Sequence, residues 1–173
     1  MAAMKRLSDF LPLASAWTQR ALALGALAAM GVSFAMMEGC ASTSSYAREA
    51  QGMRRRQTRM EVTGYDSGPR SCNWRRNWYG RPVIASGPNK GKPNAVGITA
   101  SGTRAHRGTA AADTKYYPFG TILYVQGYGW AKVEDRGGAI KGPARLDLWF
   151  STEAEARKWG RRKNVPVMVY TRD

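Results

Sequence analysis

Over the C-terminal two thirds of the chain, apolar and polar positions alternate in short runs separated by glycine and proline. Six such runs read as strands: Glu61–Tyr65, Val96–Ser101, Thr121–Gln126, Ala131–Glu134, Arg145–Phe150 and Val165–Tyr170. Each is rich in β-branched or aromatic residues and bounded by turn formers. One run has a helical signature. Thr152 and Glu155 form a T-x-x-E capping box for "TEAEARKW", and Gly160 stands where that helix would end. Residues 66–93 contain "SGPR", "YGRP" and "GPNKGKP", which predicts an irregular insertion between the first two strands. The pattern over residues 60–173 predicts an all-β barrel with one short helix packed on it.

The N-terminal part follows a different pattern. Lys5, Arg6 and Arg20 precede the uncharged run Ala21–Met37, shorter than the roughly 20 apolar residues of a membrane span but suited to the core of a secretory signal. Residues 1–39 are expected to be such a segment. "MEGCAS" at Met37–Ser42 resembles a bacterial lipobox, with Cys40 as the residue to be lipidated. Residues 40–59 are polar, basic and poor in aliphatics, which predicts a tether between an anchor and the folded unit. The folded unit is then expected outside the cytoplasm, membrane-attached in the envelope of a bacterium. Two cysteines, Cys40 and Cys72, are too few for a dense disulfide framework or a four-cysteine zinc site. If Cys40 carries lipid, Cys72 is unpaired; otherwise a Cys40–Cys72 bridge is open. No cofactor or metal is implied.

A net charge of +15 favours an anionic polymer as partner. Arg54, Arg55 and Arg56 invite a nucleic-acid reading, but an exported chain would not meet that partner, so wall polymer or anionic lipid is expected instead. Against this background three aspartates stand out: Asp113 in "AAADTK", Asp135 in "VEDRGG" and Asp147 in "RLDLWF". Asp147 interrupts an otherwise apolar strand, where lost solvation would raise its pKa and suit it to general-acid work. A second carboxyl nearby would act in the same direction. Gly137, Gly138 and Gly142 allow a ligand to approach the backbone beside Asp135. From the residues alone, an equally open reading makes these aspartates turn formers, with Asp147 neutralised by Arg145 or Lys141.

The motifs "TASG", "AAD", "PFGT", "EDRGGAIKG" and "LDLWF", in that order within Gly97–Tyr170 and preceded by "VTGY" at Val62–Tyr65, closely resemble the 3D domain family. That family is named for three aspartates and is related to the C-terminal part of membrane-bound lytic transglycosylase A. The resemblance implies a six-stranded double-psi β-barrel acting on peptidoglycan. It implies that Asp147 is the catalytic acid and that Asp135 and Asp113 line the same groove. Thr63, Thr99 and Ser101 match polar positions near the cleft, and Gly138, Lys141 and Trp130 are expected to contact substrate. The implied reaction is non-hydrolytic cleavage of the β-1,4 bond between N-acetylmuramic acid and N-acetylglucosamine, forming a 1,6-anhydro sugar. A non-catalytic, expansin-like wall-binding module is the alternative. The insertion leaves Trp74, Trp78 and Tyr79 without a transferred role.

Overall fold

The computed structural model describes residues 45–172; the expected signal segment and Cys40 lie outside the described residues. The strands are β1 (Arg54–Tyr65), β2 (Trp74–Arg76), β3 (Pro82–Ile84), β4 (Thr109–Ala112), β5 (Ile122–Val125), β6 (Gly129–Asp135), β7 (Arg145–Trp149) and β8 (Arg162–Thr171). A single helical turn, α1 (Pro69–Cys72), follows β1, and α2 (Glu153–Trp159) joins β7 to β8. Six strands close into a barrel in the order β1-β7-β4-β6-β5-β8, leaving β2 and β3 as a separate hairpin. The β1/β7 and β4/β6 pairs are parallel. The other pairs around the barrel are antiparallel.

Alternation decides which side chains fill the interior. Val62, Ala110, Ala112, Val133, Leu146, Leu148 and Val167 are all buried in one core. Each valine or leucine so buried contributes about 1.5–3 kcal/mol relative to exposure. The helix α2 covers one side of this core. Thr152 Oγ1 accepts the Glu155 N–H at 3.2 Å, and Gly160, at φ 66°, donates its N–H to Ala156 O. The capping Glu155 side chain also accepts from Ser151 Oγ at 2.6 Å. Close approach of the helix requires Gly64, because a Cβ there would lie 3.1 Å from the Ala156 carbonyl oxygen of α2 and 2.9 Å from the Phe150 ring.

Three sequence expectations change. Val96–Ser101 is a loop, although valine, isoleucine and threonine favour strands, because Gly97 and Gly102 adopt φ of +79° and +87° at its two ends. The barrel takes its remaining strand from Thr109–Ala112, a "TAAA" run with little β preference of its own. Residues 54–59, expected within the tether, are paired with β8 along the first half of β1. Upstream of them, Tyr46 on a helical stretch at 45–49 and Ala50 in the turn just after it fall one turn apart and are buried against Ile122. His106 is half-buried beside Tyr46 and Glu134.

Candidate active site

The site begins as a rank of four residues across four strands. Thr63 pairs in register with Asp147 across β1 and β7, Asp147 with Ala111 across β7 and β4, and Ala111 with Asp135 across β4 and β6. Residues in register point to the same side of a sheet, so both carboxyl groups stand over Ala111. With neighbouring strands about 4.8 Å apart, the two aspartate backbones are roughly 10 Å apart with Ala111 between them in the sheet. A register shift between Ala110 and Ala111 brings Asp135 into this rank. The flanking residues Leu146 and Leu148 point into the core, which leaves Asp147 half-buried on the opposite side of β7.

The two carboxyl groups are held differently. Asp135 accepts from Tyr65 Oη at 2.9 Å through Oδ2, and from the Ala100 and Arg136 N–H groups, each at 2.9 Å, through Oδ1. Asp147 Oδ1 accepts from Thr63 Oγ1 at 2.8 Å. Burial pushes the Asp147 carboxyl up to about 6; the Thr63 hydrogen bond opposes that rise and the charge of Asp135 adds to it. Arg145, a candidate partner for Asp147 on sequence, instead meets Glu61 at 3.1 Å and Ala139 O at 3.0 Å. Burial, and then Asp135, raise the Tyr65 phenol well above its ordinary value and keep it a donor. The Cys72 thiol is raised to about 11, first by burial, and its Sγ donates to Asp66 O.

These groups open into a cleft of about 320 Å³. Tyr65, Ser67, Cys72 and Asn73 form one wall, Ile98 and Thr99 another, and Arg136–Gly138 a third, with the half-buried Asp135 and Asp147 also lining it. Thr99 is buried, and its hydroxyl lies 3.0 Å from Ser101 Oγ and 2.9 Å from Thr103 Oγ1. Ser101 therefore supports the wall without lining the cleft. Among the described residues, no three His, Cys, Asp or Glu side chains are grouped to hold a metal ion.

Three expected site residues lie elsewhere. Asp113 and Lys141 line a separate pocket on the far side of the 136–138 loop. There Asp113 accepts the Gly142 N–H at 2.9 Å and the Lys115 N–H at 3.1 Å, and these bonds hold its carboxyl below the usual carboxylate range. Trp130 packs against Tyr124 and Tyr170, with ring centroids 5.2 Å away in both cases, and lines no part of the cleft. Conversely, Tyr65 is a site residue that motif reading passes over. Its place two residues after Thr63 puts it on the same side of β1, a parity legible in "VTGY".

Residues 108–171 match the family model described as the 3D domain. Cell wall-binding protein YocH of Bacillus subtilis (strain 168) is 38% identical over 77 residues, covering 42% of this chain and 26% of that protein. Putative cell wall shaping protein YabE of the same organism is 32% identical over 104 residues, covering 50% of this chain and 25% of that protein. The chain thus spans about a quarter of the length of these curated relatives. Among solved structures, MltA from E. coli aligns with a TM-score of 0.37 at 24% identity, over 47% of this chain and 30% of that one. The lytic transglycosylase LtgG of Burkholderia pseudomallei aligns with a TM-score of 0.33 at 22% identity, over 45% and 27%. The match to the 3D domain runs from just before β4 to the end of β8, a span that includes both Asp135 and Asp147.

Proposed function

We propose that the cleft binds a glycan strand of peptidoglycan and that Asp147 is the acid of a lytic transglycosylase. The observation that carries this reading is the setting of Asp147. It is half-buried, faces Asp135 across Ala111, and has no ion-pair partner among the described residues. A carboxyl pushed up to about 6 keeps a useful protonated fraction near neutral pH. In the proposed reaction Asp147 gives its proton to the glycosidic oxygen as the bond to C1 of the muramic acid breaks. The C6 hydroxyl of the same sugar attacks C1 and returns its proton to Asp147, so the acid is regenerated and no water is consumed. Asp135, held by three donors, offers negative charge to the positive centre developing at C1. Thr63 fixes the Asp147 carboxyl, while Thr99 and Gly138 line the path of the sugar. In this reading the barrel is of the double-psi type and works in the bacterial envelope, tethered through lipid on Cys40.

A second reading, a wall-binding module without cleavage, draws support from the names of the two curated relatives, which refer to wall binding and wall shaping. The two readings separate on products. Full-length protein in mild detergent is incubated with purified peptidoglycan beside Asp147→Asn, and the soluble products are weighed by mass spectrometry. Anhydro-muropeptides from the wild type alone support the transglycosylase. Reducing-end products mean hydrolysis, and binding without release of fragments leaves the binding module.

A further inference from the structure

The segment between β1 and β4 contributes no strand to the barrel, yet it holds the most exposed aromatic side chains among the described residues. At the tip of the β2–β3 hairpin Trp78 is 83% and Tyr79 65% exposed, with ring centroids 3.3 Å apart. The tip is braced. Asn77 Oδ1 accepts the N–H groups of Tyr79 and Arg81 at 3.0 and 2.9 Å, Asn77 O accepts that of Gly80, and Arg76 Nη1 donates to Gly80 O at 2.7 Å. Two large rings are thus held in water by a turn whose polar groups are already satisfied.

Two further observations limit what such a tip would meet. No aspartate or glutamate occurs between Asp66 and Asp113, and Arg75 and Arg81 are exposed on either side of the aromatic pair. The hairpin also grows directly out of the cleft wall. Trp74 Nε1 donates to Ser67 O at 2.9 Å, Trp149 Nε1 donates to Ser67 Oγ at 3.0 Å, and both Ser67 and Asn73 line the cleft. From Asn73 to Trp78 the chain reaches at most roughly 15 Å at strand spacing, so the tip is within that distance of the cleft wall.

We propose that the Trp78–Tyr79 tip is an outlying binding site for an acidic, peptide-bearing glycan. The two rings stack on sugar faces, and Arg75 and Arg81 pair with carboxylates of the peptide stems. This rests on the reading of the cleft as a peptidoglycan site and extends it: the tip gives affinity for a long strand, while Asp147 supplies the chemistry.

The test is co-sedimentation of the full chain with purified sacculi, comparing wild type, the double variant Trp78→Ala with Tyr79→Ala, and the double variant Trp78→Phe with Tyr79→Phe. The alanine pair is expected to weaken binding about tenfold or more, in line with losses for stacked aromatics. The phenylalanine pair should recover most of that loss. Unchanged melting temperatures in the variants tie the loss to the surface. Wild-type-like binding by the alanine pair overturns the proposal, as does failure of the phenylalanine pair to recover, or absence of wild-type binding. So does a loss confined to phosphatidylglycerol vesicles, which would assign the tip to a membrane surface. If the wild type releases no fragments while the hairpin effect persists, the cleavage reading falls and this site stands.

Discussion

Asp147 stands on a strand with one hydroxyl donor and a second carboxyl across Ala111, whereas Asp113 follows the end of β4 in a turn and accepts two backbone N–H groups. The first is pushed up to about 6, chiefly by burial. The second is held below the usual carboxylate range, chiefly by the Gly142 N–H. Most of a strand's own N–H groups are taken by the ladder, so a side chain on it finds few of them, and the Leu148 N–H lowers the Asp147 value less than the Thr63 hydroxyl does. A turn leaves backbone donors free, and an aspartate there gathers them. The same functional group therefore suits proton donation in one place and loop closure in the other.

The largest expected effect separates the two. Asp147→Asn should lower release of anhydro-muropeptides by about 10²- to 10⁴-fold, the usual worth of a positioned general acid. Asp113→Asn should keep most of the activity and instead lower the melting temperature by loosening the loop that carries Lys141 and Gly142. Rates and melting curves measured side by side on both variants decide it. Equal loss of activity in both would put Asp113 back in the groove and end the distinction.

Stability against pH gives the next contrast, with opposite signs. Asp147 binds its proton more tightly when folded, so its contribution is fully present below an unfolded pKa near 3.8 and is lost as pH rises through about 6. Asp147→Asn removes that loss and should stabilise the protein at pH 7.5 by roughly 1–2 kcal/mol, with no gain at pH 4. Asp113 has a lowered folded value, so its contribution is present above the ordinary carboxylate range and is lost as pH falls below it. Asp113→Ala should therefore destabilise at pH 7.5 and lose its effect in acid. Urea titrations at both pH values check the pair. A destabilised Asp147→Asn at pH 7.5 would contradict the raised pKa.

Which parts of this were legible in the sequence follows the range of the forces involved. The strand β7 reads directly, because Leu146 and Leu148 alternate with Asp147 and Trp149 on a two-residue period. The strand β4 does not. Its alanines carry no strand signal and are selected by what lies around them, with Ala110 and Ala112 in a crowded core and Ala111 beneath two carboxyl groups. The arginines of 54–59 read as solvated tether because their pairing with β8 depends on residues more than a hundred positions away. Asp135 and Asp147 were recognisable from motif and placement, but no interval along the chain reveals that the 136–138 loop stands between them and Asp113. Trp130 illustrates the same limit. An aromatic on a strand has two faces to choose from, and Tyr124 and Tyr170 hold this one away from the cleft.

The smallest effect is the most discriminating, because it changes the pKa of Asp147 without touching its carboxyl group. Thr63→Val keeps the shape of the side chain but removes the hydroxyl that donates to Asp147 Oδ1 at 2.8 Å. That hydrogen bond favours the charged form and lowers the pKa, so its removal should raise the Asp147 value further. A bond worth about 1 kcal/mol moves the midpoint of the kcat/KM profile upward by roughly 0.5–1 pH unit. At pH 5 the acid is already protonated in both proteins, so the rates there should agree to within the small loss from looser positioning. At pH 8 the variant should hold the larger protonated fraction and lose less of its pH 5 rate than the wild type. A downward or unchanged midpoint would mean that Asp147 does not carry the titrating proton, and the contrast with Asp113 would then describe two structural carboxylates.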